Sequence, residues 1–129
     1  MTPELDEQLV NKYPKIFRDR HGDLRETAMC WGISCSDGWY WLLDHLCSSL
    51  QWETDKNKAP QVVASQVKEK FAGLRFYYAE PISEVQDGMI RLAQWLSQHI
   101  CERCGATKNV DVRKEHGWLV TACEECWAT

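Results

Sequence analysis

The sequence contains no apolar run approaching the ~20 residues that a membrane-spanning helix needs. Its start, MTPELDEQLV, carries acids where an export signal carries basic residues, and no apolar segment follows. The chain is therefore expected to stay in the cytoplasm of the cell that makes it, without membrane contact. Positive charge is not in excess either. The 15 Lys and Arg face 19 Asp and Glu, a net charge of −4, whereas a protein that lives on nucleic acid carries a basic footprint. There is no G-x-S-x-G elbow, no phosphate-cradling glycine loop and no H-E-x-x-H, so the common signatures of hydrolase, nucleotide and metalloprotease chemistry are missing.

What remains is an ordinary globular composition, 44% apolar and 26% charged, on 129 residues. That bounds the chain to one domain, or one domain with a small appendage. Seven cysteines in a chain that is not exported are expected to stay reduced, so paired spacings read as metal ligands or redox centres before disulfides. The basic residues Lys12, Lys15, Arg18, Arg20 and Arg25 are interrupted by Asp19, Asp23 and Glu26 and read as a solvated face.

Three helices are expected. In the first, Thr2 caps, Pro3 takes the first position, and Leu5, Leu9 and Tyr13 recur at helical spacing until Pro14. Residues 18–37 look irregular. The second helix starts from Ser36 or Asp37 as cap, with Trp39, Leu42, Leu43, Leu46, Cys47 and Leu50 on a core face. Trp41, His45, Ser48 and Trp52 form a second stripe nearly opposite. Trp41, His45 and Trp52 are thus candidates either for burial under another segment or for a homodimer seam or partner surface. In QVVASQVKEKFAGLRFYY, Val62, Val63 and Val67 mark one strand and Leu74, Phe76 and Tyr78 the next, with Gly73 as the turn or bulge between them. The third helix opens on a Ser83/Gln86 capping box and is expected to bury Ile82, Val85, Met89, Leu92, Ala93, Leu96 and Ile100. Gly88 in its middle suggests close packing, since glycine costs about 1 kcal/mol there relative to alanine.

The strongest signal lies at the C-terminal end. Cys101-x2-Cys104, eighteen intervening residues and Cys123-x2-Cys126 match the two-pair zinc template. Two residues between thiolates let one tight turn aim both sulfurs at one ion, and Gly105 suits the backbone reversal behind the first pair. Val110 and Val112 alternate with polar residues, as do residues after a His116-Gly117 turn, so the segment reads as a hairpin with a knuckle at each base. Four thiolates close the coordination shell, which makes the expected Zn²⁺ structural rather than catalytic. Iron in the same four-thiolate site is the competing metal. A redox Cys-x-x-Cys needs a strand-to-helix setting, which neither pair is expected to have. His116 reads as a turn residue, Cys47 as a buried core residue, and Cys30 and Cys35 as core cysteines without a disulfide, against the rival idea of a second metal with His21 or His45.

No acid, base and nucleophile assemble from sequence, although Asp37 with Asp44, or Cys35 with His45, would need tertiary proximity to matter. The catalytic set is accordingly expected to be empty.

The motifs WGISCSDGWYWLLDHLC, VKEKFAGLRFYY, CERCG and GWLVTACEEC, together with KYPKIF near the start, resemble a family of short proteins carried by tailed bacteriophages and prophages. The resemblance covers nearly the whole chain, with Ala72 standing where that family carries glycine. It implies a phage origin and action in the cytoplasm of a bacterial host, and it supplies no function. Together these readings give an α+β fold of three helices and a β-hairpin with a C-terminal zinc ribbon, residues 1–100 being the core and 101–129 the ribbon packed on it. The expected role is a non-enzymatic accessory protein that binds a host or phage protein, with host-defence antagonism as its sharpest form. The alternatives are a nucleic-acid-binding zinc ribbon and a small enzyme. Four basic against five acidic residues in 101–129, with a further −2 from a four-thiolate zinc, leave that segment at −3, a poor surface for DNA.

Overall fold

The computed structural model describes residues 1–23 and 25–129. Helix α1 spans Pro3–Lys12, with Pro3 at its first position and Leu9 and Tyr13 buried on its inner side. Thr2 precedes it but makes no side-chain cap; its backbone N–H instead donates to Asp37 Oδ1 at 2.8 Å. Asp37 is thereby taken out of the capping role expected of it. Ser36 makes no cap either, and a 3-10 turn, Asp37–Trp39, leads into helix α2, Tyr40–Asn57. The stripe Trp39, Leu42, Leu43, Leu46, Cys47 and Leu50 is buried throughout, as its spacing predicts.

The described part of the irregular-looking segment 18–37 carries regular structure. It holds a 3-10 turn, Ala28–Trp31, and a two-residue strand β1, Ile33–Ser34. Strand β1 pairs in parallel with β2 (Val63–Lys70), which pairs antiparallel with β3 (Gly73–Ala79) in a sheet of order β1-β2-β3. The expected hairpin therefore has a third strand beside it. Two residues are too few to show a period, and β1 is held by a distant group. Buried Asp6 accepts from Ile33 N–H at 2.8 Å and from Arg20 Nε at 2.9 Å. Arg20 thus leaves the solvated face, whereas Lys12 reaches Asp44 and Arg25 reaches Asp23 at the surface.

Helix α3, Glu84–Leu96, opens on the Ser83/Gln86 capping box that the sequence announces. Its buried line is Gln86, Ile90 and Ala93, whereas Val85 and Leu92, expected inside, are more than half exposed. The reason is Gln86. Its fully buried amide donates to Thr54 Oγ1 and Pro60 O at 3.1 and 3.0 Å, so a polar residue takes the first-turn position of the inner face, ahead of Ile90 and Ala93, and Val85 and Leu92 lie on the flank outside that line. Gln86 near the start of α3 sits by Leu50 and Thr54 late in α2, whereas Trp41 and Leu96 meet at the other end, so the two helices run antiparallel.

Gly88 is not a close-packing site: a Cβ there would meet nothing within 4 Å. Gly88→Ala should therefore stabilise the protein by about 1 kcal/mol through helix propensity alone. That corresponds to a rise in melting temperature of roughly 4 °C, measured by calorimetry. A decrease would mean that some other constraint holds this glycine.

Strands β4, Val110–Glu115, and β5, Trp118–Cys123, form a separate two-stranded sheet, and helix α4, Glu124–Ala128, follows. The fold is α+β. Among the described residues no helix is long and apolar enough to cross a membrane.

Candidate functional site

The sulfurs of Cys101, Cys104, Cys123 and Cys126 all lie within 4.8 Å of one another, close enough to hold a metal ion. The first pair sits in a knuckle after α3. Gly105 N–H donates to Cys101 O, and Cys101 N–H donates to Ala106 O, each at 2.8 Å. Gly105 adopts φ +82°, a left-handed conformation that glycine supplies without strain, as its position after the pair predicts. The second pair is built differently from the expectation. Cys123 ends β5 and caps α4, and Cys126 lies inside that helix, with its N–H donating to Cys123 Sγ at 3.3 Å. A strand-to-helix setting is thus present. Its sulfurs nevertheless face the other pair rather than solvent alone, with Cys104 Sγ 3.7 Å from Cys123 Sγ.

The electrostatics of the cluster favour a cation. Burial opposes charge on Cys101, but backbone N–H groups of Cys123, Cys104 and Arg103 outweigh it and bring that thiol down to about 6. Cys126 is pushed up to about 12 by the sulfurs of Cys104 and Cys123. For Cys104, the Ala106 amide and the Cys126 sulfur favour the thiolate, yet burial and the sulfurs of Cys101 and Cys123 win and the thiol is raised. Four thiolates this close repel one another, and a shared divalent cation is what allows all of them to ionise. His116 sits at the far tip of the β4–β5 hairpin, next to the Glu115–Trp118 pair, away from the Val110–Cys123 base. It takes no part in the cluster.

The cluster is tied to the core by its backbone. Gly38 N–H donates to Glu102 O at 2.7 Å, Ser36 N–H donates to Glu102 Oε2 at 2.9 Å, and Trp39 Nε1 donates to Ile100 O at 2.8 Å. Thr121 Oγ1 donates to Ala72 O at 2.6 Å. Glu102, buried beside the cysteine cluster, has its carboxyl raised by burial against the opposing pull of the Ser36 N–H.

The other cysteines go elsewhere. Cys47 is fully buried, and burial raises its thiol. Cys35 is buried and pushed up to about 12 by burial, with Glu102 adding to the shift. Cys30 donates its thiol to Thr27 O. His45 lies exposed on the outer stripe, its Nδ1 donating to the Trp41 carbonyl at 2.9 Å, so buried Cys35 and His45 face different surroundings. Asp37 receives Thr2 N–H, whereas Asp44 receives Lys12 Nζ at 2.8 Å and the Tyr13 hydroxyl at 2.6 Å, so the two carboxylates are committed to separate partners.

The outer stripe of α2 is not covered by the N-terminal segment or the hairpin: Trp41 is 63% and Trp52 54% exposed. Trp41 and His45 join Leu46, Met89, Leu92 and Leu96 around a groove of about 210 Å³ between α2 and α3; Trp52 does not line it. A repeat hidden in the sequence marks both sides of this helix pair. Trp41-Leu42-x-x-His45 and Trp95-Leu96-x-x-His99 each place a histidine ring against an exposed tryptophan, at 4.1 and 4.6 Å between centroids. Of the second pair only Leu96 reaches the groove; Trp95 and His99 do not line it, and α3's half of the face is Met89, Leu92, Ala93 and Leu96.

Comparison with protein-family models, curated proteins and solved structures finds no match for the chain.

Proposed function

We propose that this is a non-enzymatic accessory protein, held rigid by one structural zinc ion, that grips another protein through the groove between α2 and α3. The observation that carries the reading is the exposed apolar surface on both helices. Trp41 and Leu92 stand 63% and 57% exposed at one groove, although a chain with its own core has no structural need to keep them in water. The antiparallel pair leaves a channel suited to the apolar stripe of a partner helix, with Trp41 as an anchor of the kind enriched at binding hot spots.

Zinc is supported by geometry and donor type. A tetrahedron of metal–sulfur bonds of about 2.3 Å has sulfur–sulfur edges of about 3.8 Å, and Cys104 to Cys123 is 3.7 Å. Thiolates would complete the shell, leaving no position for a reacting water, so the ion's work is to hold the ribbon. Iron fits the same donors and is separated from zinc by elemental analysis. The order of motifs supports a phage origin. On that basis the partner is a host or phage protein in a bacterial cytoplasm, and the benefit is antagonism of a host defence.

The test uses affinity capture from phage-infected cells with the wild type, Trp41→Gln/Leu92→Gln, and Trp52→Gln. The groove variant should lose its partner, weakening binding about 30-fold or more for a hot-spot loss of about 2 kcal/mol. Its melting temperature should stay within a few degrees of wild type, and Trp52→Gln should bind nearly normally. Unchanged capture by the groove variant removes this face from the function. A change from dimer to monomer in sedimentation would instead assign the face to a second copy of the chain.

A further inference from the structure

A second surface lies between the two hairpin tips. The β2–β3 turn is Phe71-Ala72 and the β4–β5 turn is His116-Gly117, and the Thr121–Ala72 bond sets the hairpins side by side. Between them is a cleft of about 770 Å³ lined by Phe71, Trp118, Lys68, Lys70, Lys114 and His116, a size within the ~300–1,000 Å³ of ligand sites. The rings are not core residues: Phe71 is 69% and Trp118 77% exposed.

Their placement is unfavourable for folding alone. Phe71, Ala72 and His116 hold φ of +53°, +67° and +47°, where glycine or asparagine would sit with less strain. An aromatic ring kept exposed on a left-handed residue points to use by a ligand. The charge is equally one-sided. Among the described residues Lys68, Lys70 and Lys114 form no ion pair. The lining's only acid, Glu69, already accepts the Ala72 N–H at 2.8 Å. Three lysines against one glutamate leave the cleft at +2 with histidine neutral, on a chain of net −4.

We propose that this cleft binds single-stranded nucleic acid, with Phe71 and Trp118 stacking on unpaired bases and the three lysines meeting phosphates. Exposed rings flanked by lysines are the recurring device for single strands, because every base offers a π-face once it leaves a duplex. A duplex would satisfy the lysines and leave both rings idle. Whole-chain charge concealed the site, since its lysines come from two segments, one on the core sheet and one on the ribbon.

Fluorescence anisotropy on the metal-loaded full chain tests this, with a labelled oligothymidylate, a duplex of equal length and an oligoglutamate peptide as probes. The single strand should bind, and log affinity should fall with log salt at a slope near −2 for about three phosphate contacts at ~0.7 each. Phe71→Gly suits the left-handed turn, and Trp118→Thr suits the strand, so both variants should keep the wild-type melting temperature. Each should weaken single-strand binding about tenfold or more. Lys68→Gln/Lys70→Gln/Lys114→Gln should flatten the salt slope. No binding at low salt, equal binding of the duplex, preference for oligoglutamate, or single-strand binding indifferent to Phe71→Gly and Trp118→Thr would each overturn the assignment.

Discussion

Cys104→Ser should reduce bound metal from about one ion per chain to a small fraction and release the ribbon from its fold, whereas Cys47→Ser should leave the metal in place. The asymmetry follows from what each cysteine holds. A two-stranded hairpin is marginal in water on its own. This one buries only Cys101, Ala122 and Cys123 in its own cluster, with Trp127, Val110 and Val120 half-covered around them. Metal binding to such a site is folding free energy, about 10–16 kcal/mol in zinc-finger peptides. Removing one thiolate forfeits much of it. Cys47, fully buried on the inner face of α2, makes no contribution to the cluster. Elemental analysis of freshly purified, reduced protein checks the first half. Amide exchange checks the second, with β4 and β5 losing protection while α2 and the three-stranded sheet keep theirs. Acidification should act in the same direction as the mutation, because protons compete with the ion for thiolates and metal affinity falls as pH falls. Freshly purified wild type without metal, or a Cys104→Ser ribbon as protected as wild type, would remove the ion from the account of this fold.

The sequence exposed some of these features and hid others, and the division has a physical cause. Features set by local spacing were legible: the two cysteine pairs, the core face of α2, the Ser83/Gln86 cap and the His116-Gly117 turn all follow from residues within a few positions of one another. Features set by a distant partner were not. Strand β1 exists because Asp6 and β2 hold it from 27 and 34 residues away. The inner face of α3 departs from its apolar pattern because a buried glutamine in the first turn, bonded to Leu50, Thr54 and Pro60, takes a place on it. The sequence points to Gly73 for the β2–β3 turn because glycine is the cheap left-handed residue. The chain puts the left-handed pair at Phe71 and Ala72 instead.

The same division governs the surfaces. A one-helix plot showed that Trp41 and Trp52 oppose the core, but it could not say whether another segment covers them; only the packing of α3 alongside shows an open groove. The cleft between hairpin tips was less visible still. Residues 101–129 hold four basic and five acidic side chains, a net −1 before any four-thiolate metal centre makes it more negative, and that count misleads for a surface that borrows Lys68 and Lys70 from the core sheet. Charge acts over a few ångströms of space, not along a stretch of sequence.

Gly38→Ala should be the most damaging single methyl group that can be added to this protein. Gly38 has an ordinary backbone conformation, so its need for glycine is spatial: a Cβ there would collide with the carbonyl oxygens of both Cys101 and Glu102. Neither obstacle is a side chain that can rotate away. Both carbonyls belong to the first cysteine knuckle, whose own Gly105 packs against Gly38 O, and Gly38 N–H donates to one of them at 2.7 Å. Overpacking a core typically costs about 1–3 kcal/mol, and a rigid backbone obstacle puts this site at the top of that range or beyond it. The expected loss is about 3 kcal/mol, or a fall in melting temperature of roughly 10 °C, together with weaker metal retention because the knuckle must move. Gly117→Ala is the control. Its φ of +86° makes alanine strained there, at a cost of about 1–2 kcal/mol, but nothing lies within 4 Å of the added methyl and the site is at the far tip of the ribbon. It should lower the melting temperature modestly and leave the metal bound. If Gly38→Ala instead melts like wild type and holds its metal under chelator challenge, the ribbon does not seat on the core through this contact.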